Sequence, residues 1–172
     1  VGAIVGIDEE RGGRAVGAYE RMLWKNKSGD GRGDEKAGDA IIDIREFSSS
    51  RTVSEFAERI EGKTAVNKEL SQRMVYGYTV IDSINAILEF SAEELLNIYG
   101  ATSERVLIFT RVTYGRSPLI AVRVTSLKPA AIVLHGIDKL DRLAAKIAQK
   151  ERIPVITTTL ALSKMLKTLK KM

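Results

Sequence analysis

The stretch KPAAIVLHGIDKLDRLAAKIAQKERIPVITTTLALSKML, Lys128 to Leu166, decides the fold. It holds two short apolar runs, Ala130 to Leu134 (AAIVL) and Pro154 to Thr157 (PVIT), both more continuous than a strand with one wet face would be. Between them Leu140, Leu143, Ala144 and Ile147 recur at helical spacing. After the second run Leu162, Met165, Leu166 and Leu169 do the same. Strand, helix, strand, helix in that order implies a parallel sheet covered by helices, because parallel neighbours are joined only through crossovers.

Outward from this stretch, Arg105 to Thr110 (RVLIFT) is a third strand of the same kind. The connecting segment Ser117 to Leu127 carries two patterns. Ser117 as cap with Pro118 at the first helical position argues helix, whereas Ile120, Val122 and Val124 alternate like a strand. The helix is favoured, since a parallel neighbour needs a crossover.

Further upstream, Thr52-Val-Ser-Glu55 is a capping box, and Val53, Phe56, Ala57 and Ile60 form the apolar stripe of a helix expected to run to Gly62. Met74 to Ile81 (MVYGYTVI) is β-rich, and Asp82 can cap a following helix that carries Ile84, Ile87 and Leu88. Ser91-Ala-Glu-Glu94 is a second capping box, with Phe90 and Leu95 placed as a hydrophobic staple and Gly100 as the stop. Ala40 to Phe47 (AIIDIREF) and Val1 to Ile7 read as strands. Lys25 to Asp39 is polar and Gly-rich, as in a mobile loop or hairpin tip. The expected fold class is therefore α/β, a mostly parallel sheet with flanking helices. Residues 1–50 form a small amino-terminal β-containing extension and residues 51–172 the α/β domain.

Composition removes several functions. With 44% hydrophobic and 28% charged residues the chain is an ordinary globular one, and no apolar run approaches the roughly 20 residues of a membrane span. There is no Cys and one His, His135, so thiolate metal sites, disulfides and multi-histidine centres are excluded within one chain. No leader pattern is present, so a cytoplasmic protein is expected, and the missing initiator Met points to an alternative start, processing or a fragment. Two Gln and four Asn beside many charges suit a thermophilic source. Asp30, Asp34 and Asp39 lack calcium-loop spacing, Arg32-Gly-Asp34 and Asn26-Lys-Ser28 are chance matches, and Gly12, Gly13 and Gly17 fit no phosphate-binding loop.

The charge is uneven. Residues 1–100 carry 13 basic and 18 acidic side chains, so the whole net +5 comes from residues 101–172, which carry 14 basic and 4 acidic. Lys164, Lys167, Lys170 and Lys171 fit the solvated face and carboxyl end of a last helix. Arg105, Arg111, Arg116 and Arg123 surround a strand instead, and are candidates for phosphate or carboxylate.

In order, TVSEFAERIEG, LSQRMVYGYTVIDSINAILEF, RVLIFTRVTYGRSPLIAV and the Lys128–Leu166 stretch resemble the DRTGG domain, itself similar to the amino-terminal domain of HPr kinase/phosphorylase. The resemblance covers about residues 52–172, with 91–100 as an added helix. Arg116 and Gly136 stand at their signature positions, while Gly115, His135 and Ile137 replace the Asp, the Thr and the last Gly. Such a resemblance implies a ligand-sensing regulatory module, of a type found beside phosphotransferase, pyrophosphatase, synthetase-like or helix-turn-helix partners, some responding to adenine nucleotides.

The residues themselves lead to a similar expectation. Ligands of a parallel sheet bind beyond the carboxyl ends of its strands. There Arg111, Gly115, Arg116 and Ser117 follow one strand, with Thr110 and Tyr114. His135, Gly136 and Asp138 follow the next, and Thr158 and Thr159, with Thr157, end the third. Glycines would let backbone amides approach an oxygen-rich ligand, while arginines supply charge and threonines hydroxyls. Asp138 and the threonines are also natural helix caps, and His135 a natural hydrogen-bonded turn residue. No acid, base and nucleophile set stands out, and no cofactor or metal is called for. The leading expectation is a non-enzymatic sensor of an anionic small molecule, such as a nucleotide or phosphorylated metabolite, acting on a regulated partner protein and forming a homodimer. The alternative is nucleic-acid binding through the basic carboxy-terminal face.

Overall fold

The computed structural model describes residues 40–89 and 94–172. The strand read at Val1–Ile7, the loop at Lys25–Asp39 and the capping box beginning at Ser91 lie outside them.

Strand β1 is Ile41–Thr52, helix α1 Val53–Arg59, β2 Lys63–Val66, β3 Met74–Asp82, α2 Ser83–Glu89 and α3 Glu94–Asn97. Then come β4 Val106–Thr110, α4 Arg116–Val124, β5 Ala131–His135, α5 Arg142–Glu151, β6 Val155–Thr158 and α6 Leu162–Lys170. One six-stranded sheet has the order β1-β3-β4-β5-β6-β2. The inner four strands are parallel, as the sequence led us to expect, and both edge strands are antiparallel to their neighbours. The chain is α/β, with helices on both faces of the sheet.

Alternation explains the core. Leu107, Phe109, Ile132, Leu134 and Val155 enter one apolar cluster, while Val106, Ile108, Ala131, Val133 and Ile156 enter the other. A strand buried on both faces needs apolar residues at every position, which is why these runs look continuous. Ala86 of α2, Leu119 and Val122 of α4, and Ala144 and Ile147 of α5 cover the first face. Val53, Phe56 and Ala57 of α1 and Met165 and Leu169 of α6 cover the second.

Local signals are met with some shifts. The capping box at α1 forms, with Thr52 Oγ1 accepting the Glu55 N–H and the Glu55 carboxylate accepting the Thr52 N–H, both at 3.1 Å. The helix nevertheless ends at Arg59 rather than running to Gly62, with Glu61 in the left-handed conformation just after it. Gly62 serves close packing, since a Cβ there would lie 2.5 Å from Ile156 Cγ2. Segment 117–127 is helical through Val124, but the cap is Gly115 and not Ser117, so Pro118 sits within the first turn, where its missing N–H costs nothing. On α5 the buried stripe is Ala144, Ile147 and Ala148. Leu140 precedes the helix and Leu143 is exposed, so the expected stripe is rotated.

Two strands differ from expectation. β2 is four residues long and too short to leave a pattern. β1 continues past Phe47 to Thr52, pairing with β3 from Ile41 opposite Ile81 to Thr52 opposite Met74. The boundary expected near residue 50 falls inside this strand.

Candidate functional site at the carboxyl edge of the sheet

Crossovers from β3 to β4, β4 to β5 and β5 to β6 all use helices on the first face, whereas the chain leaving β6 enters α6 on the second. The loops after β5 and β6 therefore diverge to opposite faces, the arrangement in which parallel sheets commonly form a ligand crevice. His135 stands opposite Thr158 at this point.

Hydrogen bonds bind the three strand ends together. Val112 N–H donates to His135 O at 2.9 Å and Gly136 N–H to Thr158 O at 2.8 Å. The buried His135 ring completes the tie, with Nδ1 accepting the Arg111 N–H at 3.3 Å and Nε2 at 2.9 Å from Leu160 O. Since Nδ1 accepts, the Nε2 proton is the one that faces the carbonyl. Both ring nitrogens are occupied, which suits the turn-residue role rather than a general base.

Around this tie the candidate residues separate into two groups. Arg111, Arg116, Ser117, Gly136, Asp138 and Thr159 are exposed. Gly115, His135 and Thr158 are buried. Thr158 Oγ1 donates to Ile60 O at 2.9 Å and accepts the Leu160 N–H at 3.1 Å, so its hydroxyl is consumed in the fold, and the Gly136 amide is consumed likewise. Gly136 contributes shape instead. At φ +102° beside the Val112 and Arg111 backbone it takes a conformation that residues with a side chain rarely adopt. Thr110 and Thr157 are also buried, their hydroxyls turned to Ile81 O at 3.1 Å and Asp138 O at 3.5 Å.

The arginines separate too. Arg105 and Arg123 lie at the start of β4 and the end of α4, the opposite edge of the sheet. Arg105 is fully buried against the Glu46 carboxylate, and Arg123 approaches Glu151 at 3.8 Å, so both are structural. Arg116 reaches Asp141 through two bonds, Nε to Oδ2 at 2.9 Å and Nη2 to Oδ1 at 2.8 Å. Arg111 has no carboxylate partner among the described residues, and it is a non-glycine residue at φ +54° on a strand end. Of the four such residues among those described, Glu61 and Arg152 end helices and Asn67 donates to Ala148 O and Ile153 O. Arg111 instead donates its backbone N–H to His135 Nδ1 at 3.3 Å.

Asp141 is the residue the sequence reading passed over. It, and not Asp138, caps α5, with Oδ2 accepting Leu143 N–H at 2.9 Å and Ala144 N–H at 3.2 Å. The Arg116 guanidinium, helped by those two amides, holds its carboxyl down at about 2 and in turn raises Arg116. Its signal was present as an Asp just ahead of the Leu143, Ala144, Ile147 run.

Elsewhere a cleft of about 440 Å³ opens at the amino edge of the sheet, lined by Arg73, Glu104, Lys128, Glu151 and Arg152 among others. Lys128 and Arg73 serve the fold. Lys128 Nζ donates to Val122 O at 2.8 Å and Arg123 O at 2.7 Å at the end of α4, and burial lowers its pKa against the pull of Glu151. Arg73 donates to Ala130 O and Arg152 O, both at 3.2 Å. Among the described residues, no group of three or more His, Asp or Glu is placed to hold a metal, and no helix is long and apolar enough to cross a membrane.

No family model matches the chain. It is 43% identical over 171 residues to an uncharacterized HTH-type transcriptional regulator of Archaeoglobus fulgidus, covering 98% of this chain and 69% of that protein. It is also 43% identical over 169 residues to an uncharacterized HTH-type transcriptional regulator of Methanocaldococcus jannaschii, covering 97% and 66%. The chain thus spans about two thirds of the length of these relatives. Among solved structures, it is similar to the CBS and DRTGG domains of the regulatory region of Clostridium perfringens pyrophosphatase, complexed with the activator diadenosine tetraphosphate. That likeness has a TM-score of 0.45 and 18% identity, over 69% of this chain and 45% of the other.

Proposed function

The chain belongs to the family of HTH-type transcriptional regulators represented by these two archaeal proteins, and we propose that its α/β unit is the effector-sensing part of such a regulator, non-enzymatic and responsive to a phosphoryl-bearing anion. In such a regulator the sheet passes ligand status to the part that reads nucleic acid. The ligand lies at the crevice between β5 and β6, with Arg111 as its anchor and Arg116, Ser117, Asp138 and Thr159 around it. The backbone turns at Gly115 and Gly136 shape the floor, and His135 and Thr158 fix the strand ends beneath.

One observation carries this proposal. Arg111 presents a guanidinium without a carboxylate partner among the described residues, from a left-handed backbone position tied to His135. An exposed planar cation held on a rigid strand end suits bidentate recognition of phosphate oxygens. Adenine nucleotides are the first ligands to test, because the sequence resembles a domain type of which some members respond to them.

Direct nucleic-acid binding by this unit is the competing function, and the placement of charge favours it less. The exposed Arg142, Lys146 and Lys150 belong to α5 on the first face, and the exposed Lys164, Lys167, Lys170 and Lys171 to α6 and its end on the second. The basic excess is divided between faces.

A thermal-shift series with inorganic pyrophosphate, ATP and AMP, run beside duplex DNA at rising salt, tests the choice. A pocketed anion at 100 times its Kd stabilises by about 2.7 kcal/mol, and the Arg111→Ala variant abolishes that rise. Affinity for DNA that falls steeply with salt, with no response to any small anion, supports the competitor.

A further inference from the structure

The two edge strands of the sheet are unlike. β2 is four residues long, and shortness is one way a protein keeps an edge from pairing, whereas β1 runs for twelve residues and has no strand on its outer side among the described residues. Ile42 and Ile44 stand 39% and 38% exposed along it. From Asp43 to Glu46, between irregularities on either side, the strand pairs with β3 in unbroken register. Arg45 O turns toward β3, since it lies 2.5 Å from where a Cβ on Gly77 would stand. Alternation then turns the N–H and C=O of Ile44 and Glu46 outward, where another strand can meet them.

We propose that this edge binds a second copy of the chain, β1 pairing antiparallel with the partner's β1 about a two-fold axis through Ile44 and joining the two sheets into one. The pairing is independent of the anion-sensing function above, which belongs to the ends of other strands.

Charge selects both the occupant and the register. Side chains alternate between faces, so a two-fold axis that keeps the first faces of both copies together passes through a residue and not between two. An axis through Asp43 or Arg45 sets like charges opposite each other. An axis through Ile44 sets Asp43 opposite the partner's Arg45, and Arg45 opposite the partner's Asp43, with Ile44 against its own counterpart. Asp43 and Arg45 share the second face, where their partners on β3 are Val80 and Tyr78. Within one strand they lie 3.3 Å apart, so two copies bring four charges of alternating sign together. Glu46, the remaining charge of the run, is held by Arg105. The strand is thus complementary to its own reverse, a pattern that an unrelated strand has no reason to match.

Sedimentation equilibrium at rising concentration tests this on the full 172-residue chain, with the wild type, Asp43→Lys, Arg45→Glu, an equimolar mixture of those two, and Ile44→Pro. The wild type is expected to dimerise. Each charge variant alone sets like charges opposite at both contacts, and self-association is expected to weaken about tenfold or more. In the mixture each contact again pairs a cation with an anion, so a mixed dimer of wild-type affinity is expected. Ile44→Pro removes an outward N–H and leaves the pairing with β3, so the chain stays folded by circular dichroism while the dimer is lost. Should Asp43→Lys fail to fold for want of its bond to the Tyr78 hydroxyl, Arg45→Glu and Ile44→Pro still decide. A wild type that stays monomeric at every concentration overturns the proposal. A dimer that survives Arg45→Glu and Ile44→Pro overturns it too, as does a mixture of two folded charge variants that associates no better than either alone.

Discussion

The imidazole Nδ1 of His135 accepts the backbone N–H of Arg111, fixing a left-handed arginine on a strand end to the neighbouring strand. The same ring reaches Leu160 O through Nε2, so a single side chain spans the ends of β4, β5 and β6. Replacing His135 with Ala leaves the Arg111 N–H and the Leu160 carbonyl without their partners in a part-buried setting. A loss of about 1–3 kcal/mol in urea unfolding is expected. Faster hydrogen exchange at the Arg111 amide is the local signature, and an unchanged exchange rate there would contradict the bracing role.

Gly115 and Gly136 both hold positive φ, at +83° and +102°, but their surroundings differ. A Cβ on Gly136 meets Val112 O at 3.4 Å, ordinary contact, so Gly136→Ala costs backbone strain alone, about 1–3 kcal/mol. A Cβ on Gly115 would come 2.6 Å from Leu134 Cδ1, so Gly115→Ala adds displacement of a fully buried leucine and is the more damaging variant. The order of the two denaturation midpoints checks this.

Arg105 is fully buried and its guanidinium is bonded throughout, to the Glu46 carboxylate, to Thr102 O at 2.8 Å, to Tyr78 O at 3.2 Å and to Thr79 Oγ1 at 3.1 Å. Arg105→Met removes the charge and leaves those acceptors without their donor. A loss of about 3 kcal/mol or more is expected in equilibrium unfolding, with anion binding at the far edge unaffected if the folded fraction is held equal.

Asp141 links stability to acid pH. Its carboxyl lies at about 2 in the folded chain against an ordinary 3.8, chiefly through Arg116. Because the folded value is the lower, the contribution is complete above 3.8 and fades as pH falls toward about 2. Asp141→Asn should flatten the thermal midpoint across that interval relative to wild type, and an identical acid slope in the two proteins would show that the pair adds nothing.

Sequence patterns reveal the parallel core readily, because a strand buried on both faces must be apolar throughout and its crossovers must be amphipathic. That logic recovers β4, β5 and β6 and the helices between and after them. It fails at β2, where four residues leave no periodicity, and at Ser117, where Pro in the first turn resembles Pro at the first position. In the candidate site, the sequence places Arg111 and Arg116 together at the carboxyl edge of the sheet, but it cannot tell which side chains the fold consumes. Thr158 and the Gly136 amide are spent on the strand ends, and Asp141, which the sequence reading passed over, holds Arg116.

Calorimetric titration of inorganic pyrophosphate into the wild type and into Arg111→Ala, at one fixed ionic strength, tests the sensing function most directly. Saturable binding at one site per chain, weakened about tenfold or more in the variant, is the predicted result, since a charge-assisted bidentate contact is lost. Equal affinity in the two proteins, or no binding to either, would contradict it.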